Sequence, residues 1–313
     1  MSPKEPTTQI LLFSQPRTGC HLLERMLSKQ SRIHTYLQHP FGISSRYPRA
    51  WLLAEPLVQI SAELSQKHDA QMQKGEKRWR KGLATTESKN KALYVHFHPL
   101  FALKPDVVYD YLSNGPAVAP RSIRKPLSVP DELLLMKGTV PLLTIRNPRL
   151  QVPSLYRVSR DTLPGGVGGV DLLASATPRW NRLLHDWYTA NGIQPLVVDA
   201  DDYMSSEAFV RHLCSISGLD PDEALIKWDK TNRDMDMNQY EKNHSAIQKT
   251  LFASQGPEAR RASQNVDLDA EERGWDAEFG VQGARLVRET VQTVSGDYEY
   301  LRERRVRLPG SKL

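Results

Sequence analysis

The feature that most constrains this sequence is the stretch 10–27, in which an apolar run passes into a short polar turn and then into a helical pattern. Residues 10–13 are all apolar, which is typical of a buried strand in a parallel sheet. After the turn, one helical face carries the apolar residues Leu22, Leu23, Met26 and Leu27. A strand-turn-helix directs free backbone N–H groups and the positive end of the helix dipole toward an anion. The stretch therefore predicts an anion-binding loop.

The residues of the turn make this anion a phosphate-like group. Arg17 adds a permanent positive charge, and Thr18 adds a hydroxyl donor. The Walker pattern G-x-x-x-x-G-K-[ST] is missing, and Gly-Lys-Ser/Thr occurs nowhere in the chain. The loop is therefore not that of an ordinary ATPase or GTPase, and a P-loop kinase is disfavoured.

A second apolar strand enters a turn at Ile145-Arg146-Asn147-Pro148, and Ser154 lies eight residues after Arg146. With this segment, the chain resembles the PAPS-dependent sulfotransferases of the bacterial and fungal type. Pro16-Arg17-Thr18-Gly19 resembles their 5'-phosphosulfate loop, and Arg146 with Ser154 has the spacing of their 3'-phosphate signature. The resemblance covers roughly the first two thirds of the chain.

The resemblance implies a single α/β domain over residues 1–313, with a central parallel sheet flanked by helices as in the P-loop sulfotransferases. It implies a 5'-phosphosulfate loop at 14–21, a 3'-phosphate segment at 146–154 and a C-terminal helical part at 204–304. The implied reaction transfers a sulfuryl group from PAPS, leaving PAP, to a hydroxyl of a small organic acceptor such as a specialised metabolite. Arg17 would stabilise the leaving oxygen as a catalytic residue, and the residues implied to bind the donor are Pro16, Arg17, Thr18, Gly19, Cys20, His21, Arg146 and Ser154.

The segment Leu93-Tyr94-Val95-His96-Phe97-His98 resembles the Lys-x-His strand end of the same family. The resemblance implies that His98 is the base and that His96 stands where a Lys is usual. Strand alternation puts both rings on one face, so the pair can share the role. We expect no metal, because no third ligand is close in sequence. Hydrogen-bonded core histidines remain the alternative interpretation.

Four departures from the family leave a second function open. Cys20 and His21 stand where Ser or Thr is usual, His96 stands where a Lys is usual, and the C-terminal Arg-Lys-Gly loop has no clear counterpart. Residues 273–275 and 242–249 are candidate substitutes for that loop. The alternative is a protein of this fold that binds a nucleotide, or catalyses a non-sulfuryl reaction, after losing features of the donor site.

Alternating apolar patterns predict where the strands and helices lie. The predicted strands are 9–13, 92–97, 140–145 and 195–199, with helices at 20–30, 52–73, 151–160 and 178–190 between them. Residues 204–217, 221–228 and 283–304 are predicted as further helices. Three stretches, at 74–87, 115–130 and 163–169, are predicted as loops that can cover the acceptor pocket. Strands that alternate with helices favour a parallel sheet covered on both faces.

Charge and sequence signals narrow the partners and the compartment. The net charge of +6 fits a polyanionic ligand, but no zinc-ligand spacing or basic heptad accompanies it, so we expect no nucleic acid partner. Two cysteines, no 18-residue apolar run and no signal peptide predict an intracellular protein without a membrane span. Ser311-Lys312-Leu313 matches the tripeptide read by the peroxisomal import receptor. It predicts a peroxisomal matrix enzyme, with the cytoplasm as the alternative.

Overall fold

The computed structural model describes residues 6–42, 61–115, 123–162, 167–229 and 250–310. In these ranges, five strands form one sheet in the order β2-β3-β1-β4-β5, and all neighbouring strands are parallel. The predicted α/β class with a central parallel sheet is confirmed. The strands are β1 Gln9–Ser14, β2 Ile33–Gln38, β3 Ala92–Phe97, β4 Thr139–Ile145 and β5 Leu196–Asp199.

Helices cover both faces of this sheet, because the side chains of β1 alternate between two apolar clusters. Leu11 and Phe13 belong to one cluster, and Ile10 and Leu12 belong to the other. The helices are α1 Cys20–Met26, α2 Ala62–Glu87, α3 Pro105–Asn114, α4 Asp131–Leu134, α5 Pro148–Thr162, α6 Gly169–Ala176, α7 Arg179–Ala190, α8 Ala200–Ser205, α9 Glu207–Ile216 and α10 Leu268–Glu303. The last of these is interrupted at Gly280, which has a φ of 70°. None of the described helices is long and apolar enough to cross a membrane.

The four predicted strands are confirmed to within one residue at each end, but β2 was missed. Its buried positions do not alternate strictly, since its pairing with β3 shifts between Ile33 and Thr35. The predicted loop 74–87 was wrong, because these residues continue α2. Charged side chains on the outer face form pairs one turn apart, such as Arg80 with Glu76, while Trp79 is fully buried on the inner face.

Two predicted helices also differ from the structure. The predicted helix 221–228 is helical only over Pro221–Glu223, as a 3-10 turn. The predicted helix 204–217 is divided at Ser206, whose side chain accepts a hydrogen bond from the N–H of Phe209 and caps α9. Parts of the other predictions, at 52–60, 116–122 and 163–166, lie outside the described residues.

The sheet order places the two predicted phosphate segments beside each other. β1 and β4 are neighbours in the sheet, with Ser14 paired to Thr144 near their carboxyl ends. β3 lies on the other side of β1 and pairs His96 with Leu12. Ligands of open α/β sheets bind at this edge, beyond the carboxyl ends of the strands.

Candidate active site

The loop between β1 and α1 has an unusual backbone that one glycine makes possible. Both Arg17 and Gly19 have positive φ, at 69° and 76°. A Cβ atom on Gly19 would lie 2.5 Å from the hydroxyl oxygen of Tyr203. Glycine at this position therefore serves the backbone conformation and the close approach of Tyr203 at the same time.

Side chains from elsewhere in the chain fix the loop by binding three consecutive carbonyl groups. The carbonyls of Pro16, Arg17 and Thr18 accept hydrogen bonds from Gln151 Nε2, Arg146 Nη1 and the Tyr203 hydroxyl, at 3.0, 3.0 and 2.6 Å. Within the described ranges, the backbone N–H groups of Gly19, Cys20 and His21 have no acceptor. The loop therefore has its carbonyls satisfied by protein and keeps backbone donors for an anion.

The two predicted phosphate segments meet directly. Arg17 Nε donates to Ser154 Oγ at 3.0 Å, which links the first loop to α5. Burial, together with the charge of Arg146, lowers the pKa of Arg17, and burial lowers the pKa of Arg146 as well. Two guanidinium groups close together in a partly buried place are stabilised when an anion lies between them.

A cavity of about 470 Å³ opens in front of these residues, within the usual range of small-ligand pockets, about 300–1,000 Å³. Its walls include six of the eight residues implied to bind the donor, namely Arg17, Gly19, Cys20, His21, Arg146 and Ser154. Pro16 and Thr18 do not line it, and the buried hydroxyl of Thr18 donates to the carbonyl of Gln15 at 2.8 Å. The far wall is formed by a segment that the sequence analysis did not identify, and its cavity-lining residues are Thr250, Leu251, Ser254, Gly256, Glu258, Arg260, Arg261 and Val266.

The described residues among the substitutes considered for the missing C-terminal loop lie away from this cavity. Arg273 has a side chain that is 72% exposed and pairs with Asp267, and Trp275 is buried in the core. Neither lines the cavity as described, and residues 242–249 lie outside the described ranges. Arg260 and Arg261 are adjacent in sequence like the basic pair of the family loop, but no glycine motif surrounds them.

The predicted base, His98, lies on the other side of β1 from Ser154 and does not line the described part of this cavity. Its Nδ1 is 2.8 Å from the carbonyl oxygen of Ser14. Because a carbonyl only accepts, Nδ1 carries the proton, and Nε2 keeps a lone pair. Burial and the charge of His96 lower the pKa of His98. The ring is therefore neutral at pH 7, so its Nε2 lone pair can accept a proton, and the lowered pKa makes it a weaker base than an ordinary histidine.

Glu24 on α1 is a buried acid that the sequence analysis missed. Its Oε1 lies 2.9 Å from His96 Nδ1, and its Oε2 lies 2.8 Å from His21 Nδ1. Gln38 Nε2 donates to the same Oε2 at 3.2 Å. Burial disfavours the charged form of Glu24, but the two imidazoles outweigh it and hold the pKa of the carboxyl below its usual range. The spacing of His21 and Glu24, one helical turn apart, was the available signal.

The same contacts make His96 a charged residue. Burial opposes its protonation, but the charges of Glu24 and Cys20 raise the pKa of His96 to about 10. His96 Nε2 lies 2.8 Å from Ser14 Oγ, and that oxygen is 3.0 Å from His98 Nδ1. The two predicted histidines thus share Ser14, with His96 as the cation and His98 as the neutral partner.

One group of side chains has the composition of a metal site. Ligand atoms of His21, Glu24 and His96 lie within 4.8 Å of one another. Each imidazole Nδ1 faces a different oxygen of the Glu24 carboxylate at ion-pair distance, so each ring already has a partner within the cluster. We assign them as ion pairs.

Cys20 lies at the start of α1 and is buried. Burial opposes ionisation of its thiol, but the charges of His21 and His96 outweigh it and lower the pKa of Cys20 to about 6. The thiol is therefore more acidic than that of Cys214, whose pKa burial raises to about 12.

The chain is similar in sequence to curated proteins named as sulfotransferases. No family model matches the chain. It is 28% identical over 331 aligned positions to the sulfotransferase ppzF of Metarhizium rileyi, covering 95% of both chains. It is also 28% identical to the sulfotransferase ppzF of Metarhizium majus, over 95% of this chain and 96% of the relative. A solved sulfotransferase from Alicyclobacillus acidocaldarius has a TM-score of 0.36 and 13% identity, over 80% of this chain and 97% of its own.

Proposed function

Since its relatives support placing this chain among the sulfotransferases, we propose that it transfers a sulfuryl group from PAPS to a hydroxyl of a small organic acceptor. The observation that carries the proposal is the meeting of two loops in one cavity. Arg17 from the first loop contacts Ser154 from the second, and Arg146 binds the carbonyl of Arg17. A donor with phosphate groups at both the 5' and 3' positions needs two such loops side by side.

Different residues of the chain bind different parts of the donor. Bound PAPS supplies a sulfuryl group on a good leaving group. The backbone N–H groups of Gly19, Cys20 and His21 bind its 5' end, and Arg146 and Ser154 bind its 3'-phosphate. Arg17 neutralises the charge that develops on the leaving phosphate oxygen.

His98 accepts the proton of the acceptor hydroxyl at Nε2, because its Nδ1–H is held by the Ser14 carbonyl. The acceptor oxygen then forms its bond to sulfur while the bond from sulfur to the leaving oxygen breaks. His96, whose ring is fully buried, acts on His98 through Ser14 and does not contact the acceptor.

The compartment and the acceptor are further parts of this proposal. A specialised metabolite with a free hydroxyl fits an enzyme of this kind. Ser311-Lys312-Leu313 lies outside the described residues, and its sequence supports import into peroxisomes by the receptor that reads such tripeptides.

Titration calorimetry with PAP, PAPS and ATP tests the proposal. We expect micromolar binding of PAP and PAPS and much weaker binding of ATP, which lacks a 3'-phosphate. Transfer of labelled sulfate from PAPS to a panel of hydroxyl compounds then identifies the acceptor. Tighter binding of ATP than of PAP would contradict the proposal, and PAP binding without transfer to any acceptor would favour the alternative of a nucleotide-binding protein.

A further inference from the structure

The side chain of His21 lies at the wall of the donor cavity with one ring nitrogen engaged. Its Nδ1 is 2.8 Å from Glu24 Oε2, and because a carboxylate only accepts, Nδ1 carries a proton. The side chain is 25% exposed and lines the cavity. Within the described ranges, Nε2 has no hydrogen-bond partner. A protonated ring in this position can donate a second hydrogen bond, from Nε2, to a ligand.

Glu24 explains why this ring would carry a charge. The residue is 4% exposed, and its carboxylate faces two imidazoles and the amide of Gln38. A buried carboxylate requires compensating positive charge. With both imidazoles protonated, their two positive charges are balanced by the carboxylate of Glu24 and the ionised thiol of Cys20. Of the two imidazoles, His21 lines the cavity beside the backbone donors of the loop, where an anion would be bound.

We infer that protonated His21 binds the anionic 5' end of the donor through its side chain, and that Glu24 keeps it protonated. This inference rests on the proposed function and deepens it. In the proposed function, His21 contributes only its backbone N–H, at a position where the family's usual Ser or Thr has no charge. In this inference, the side chain of His21 adds a second cation to that of Arg17, and its charge depends on pH.

The groups around His21 determine the direction of this pH dependence. Those that titrate and face it are Cys20 and Glu24 on α1, His39 after β2 and His96 on β3. Burial opposes the charge, but Cys20 and Glu24 outweigh it and raise the pKa of His21. Donor affinity should therefore be high at low pH and fall as the pH rises through this pKa.

Calorimetry with PAP from pH 6 to pH 9 tests the inference on the full chain. We expect His21→Ser to bind PAP about tenfold more weakly than the wild type at pH 6, as for the loss of one hydrogen bond to a charged group. The difference should shrink as the pH rises through the pKa of His21. Because PAP ionises identically in both titrations, the ratio of the two affinities isolates His21. The control is His212→Ser, which removes a histidine from α9 and should leave the affinity unchanged at every pH.

Two further variants separate charge from structure. Glu24→Gln removes the acid and should move the pH at which affinity falls to a lower value, because burial then opposes the charge of His21 with less compensation. His21→Lys provides a charge that persists and should keep affinity at pH 9. Circular dichroism confirms that each variant is folded.

The outcomes separate this inference from the proposed function. An unchanged ratio of affinities for wild type and His21→Ser across the pH range would overturn the inference while leaving PAP binding intact. Loss of the wild-type affinity on treatment with EDTA would overturn it too, because His21 would then hold a metal. If PAP does not bind but inorganic pyrophosphate shows the His21-dependent pH profile, the proposed function fails, while the binding of an anion by protonated His21 is supported. Binding of neither probe overturns both.

Discussion

At the scale of single residues, Arg17 is the point at which the two donor loops are joined. It has a positive φ, its carbonyl is bound by Arg146, and its side chain reaches Ser154. Truncation of the Arg17 side chain would remove both a positive charge and the hydrogen bond that links the loop to α5. The sequence predicts the charge, whereas the link depends on the fold.

We expect Arg17→Ala to lower turnover about a hundredfold or more, as for the loss of one preorganised donor that stabilises developing charge. Arg17→Lys should retain much more activity, because it keeps the charge. Steady-state kinetics on the identified acceptor measures both. Arg211→Ala, on the outer face of α9, is the matched control. An Arg17→Ala variant with near wild-type turnover would remove Arg17 from the mechanism.

Substitution of His98 and substitution of His96 should affect different properties of the protein. His98→Ala should abolish transfer while PAP affinity stays nearly unchanged, because the base contacts the acceptor. His96→Ala leaves the buried carboxylate of Glu24 with one cation fewer, which costs about 3–5 kcal/mol for a buried pair. Its main effect should be a lower free energy of unfolding in urea. If His96→Ala is stable and more damaging to turnover, the two roles are exchanged.

At the scale of elements, the β1–α1 turn depends on Gly19. Gly19→Ala places an L-residue at a φ of 76° and a methyl group 2.5 Å from the Tyr203 hydroxyl, which binds the loop at Thr18. We expect PAP affinity to fall at least tenfold. Gly192→Ala is the matched control, since Gly192 also has a φ of 76° but an added Cβ would have no atom within 4 Å. Gly192→Ala should lower the free energy of unfolding only by the cost of placing an L-residue in the left-handed conformation, about 1–2 kcal/mol. Equal PAP affinity in the two variants would contradict the role of the close approach.

The junction of β5 and α8 predicts how stability changes with pH. Asp199 caps α8, and the hydroxyl of Tyr298 donates to it at 3.0 Å. Burial and the charge of Asp201 raise the pKa of Asp199 to about 7. The folded protein therefore holds this proton more tightly than the unfolded chain does. The contribution of this proton to the free energy of unfolding is fully present below about pH 4. It is lost as the pH rises through 7.

Asp199→Asn cannot titrate and keeps an acceptor for the cap. We expect the stability of the wild type relative to Asp199→Asn to fall by about 2 kcal/mol between pH 5 and pH 7. Urea unfolding at several pH values measures this difference, with the exposed Asp222→Asn as the control. A difference that does not change with pH would show that Asp199 is charged in the folded protein.

At the scale of the whole molecule, segments far apart in sequence build one cavity. The wall formed by residues 250–266 faces loops from β1 and β4, and α10 packs against α5, where Arg157 pairs with Glu278. The single domain over 1–313 remains a prediction, as do the roles of the site residues.

The last prediction concerns the subcellular localisation of the whole chain. A fluorescent protein fused to the N-terminus should give puncta that coincide with a peroxisomal marker, and deletion of Ser311–Leu313 should disperse them. Microscopy in a eukaryotic host with peroxisomes makes the comparison. Diffuse fluorescence from the intact fusion would refute the assignment and leave the proposed reaction untouched.

The sequence by itself determined the parallel α/β sheet, because its inner strands β1, β3 and β4 are short apolar runs followed by turns. It also carried the resemblance to the sulfotransferases, because the turn around Arg17 and the spacing of Arg146 and Ser154 are local patterns. It did not reveal β2 or the second half of α2, where exposed polar residues hide the periodicity. Only the tertiary structure brought Glu24 between His21 and His96 and placed residues 250–266 across the cavity. The physical reason is that charge balance in a buried cluster depends on distances between elements, which a linear pattern does not contain.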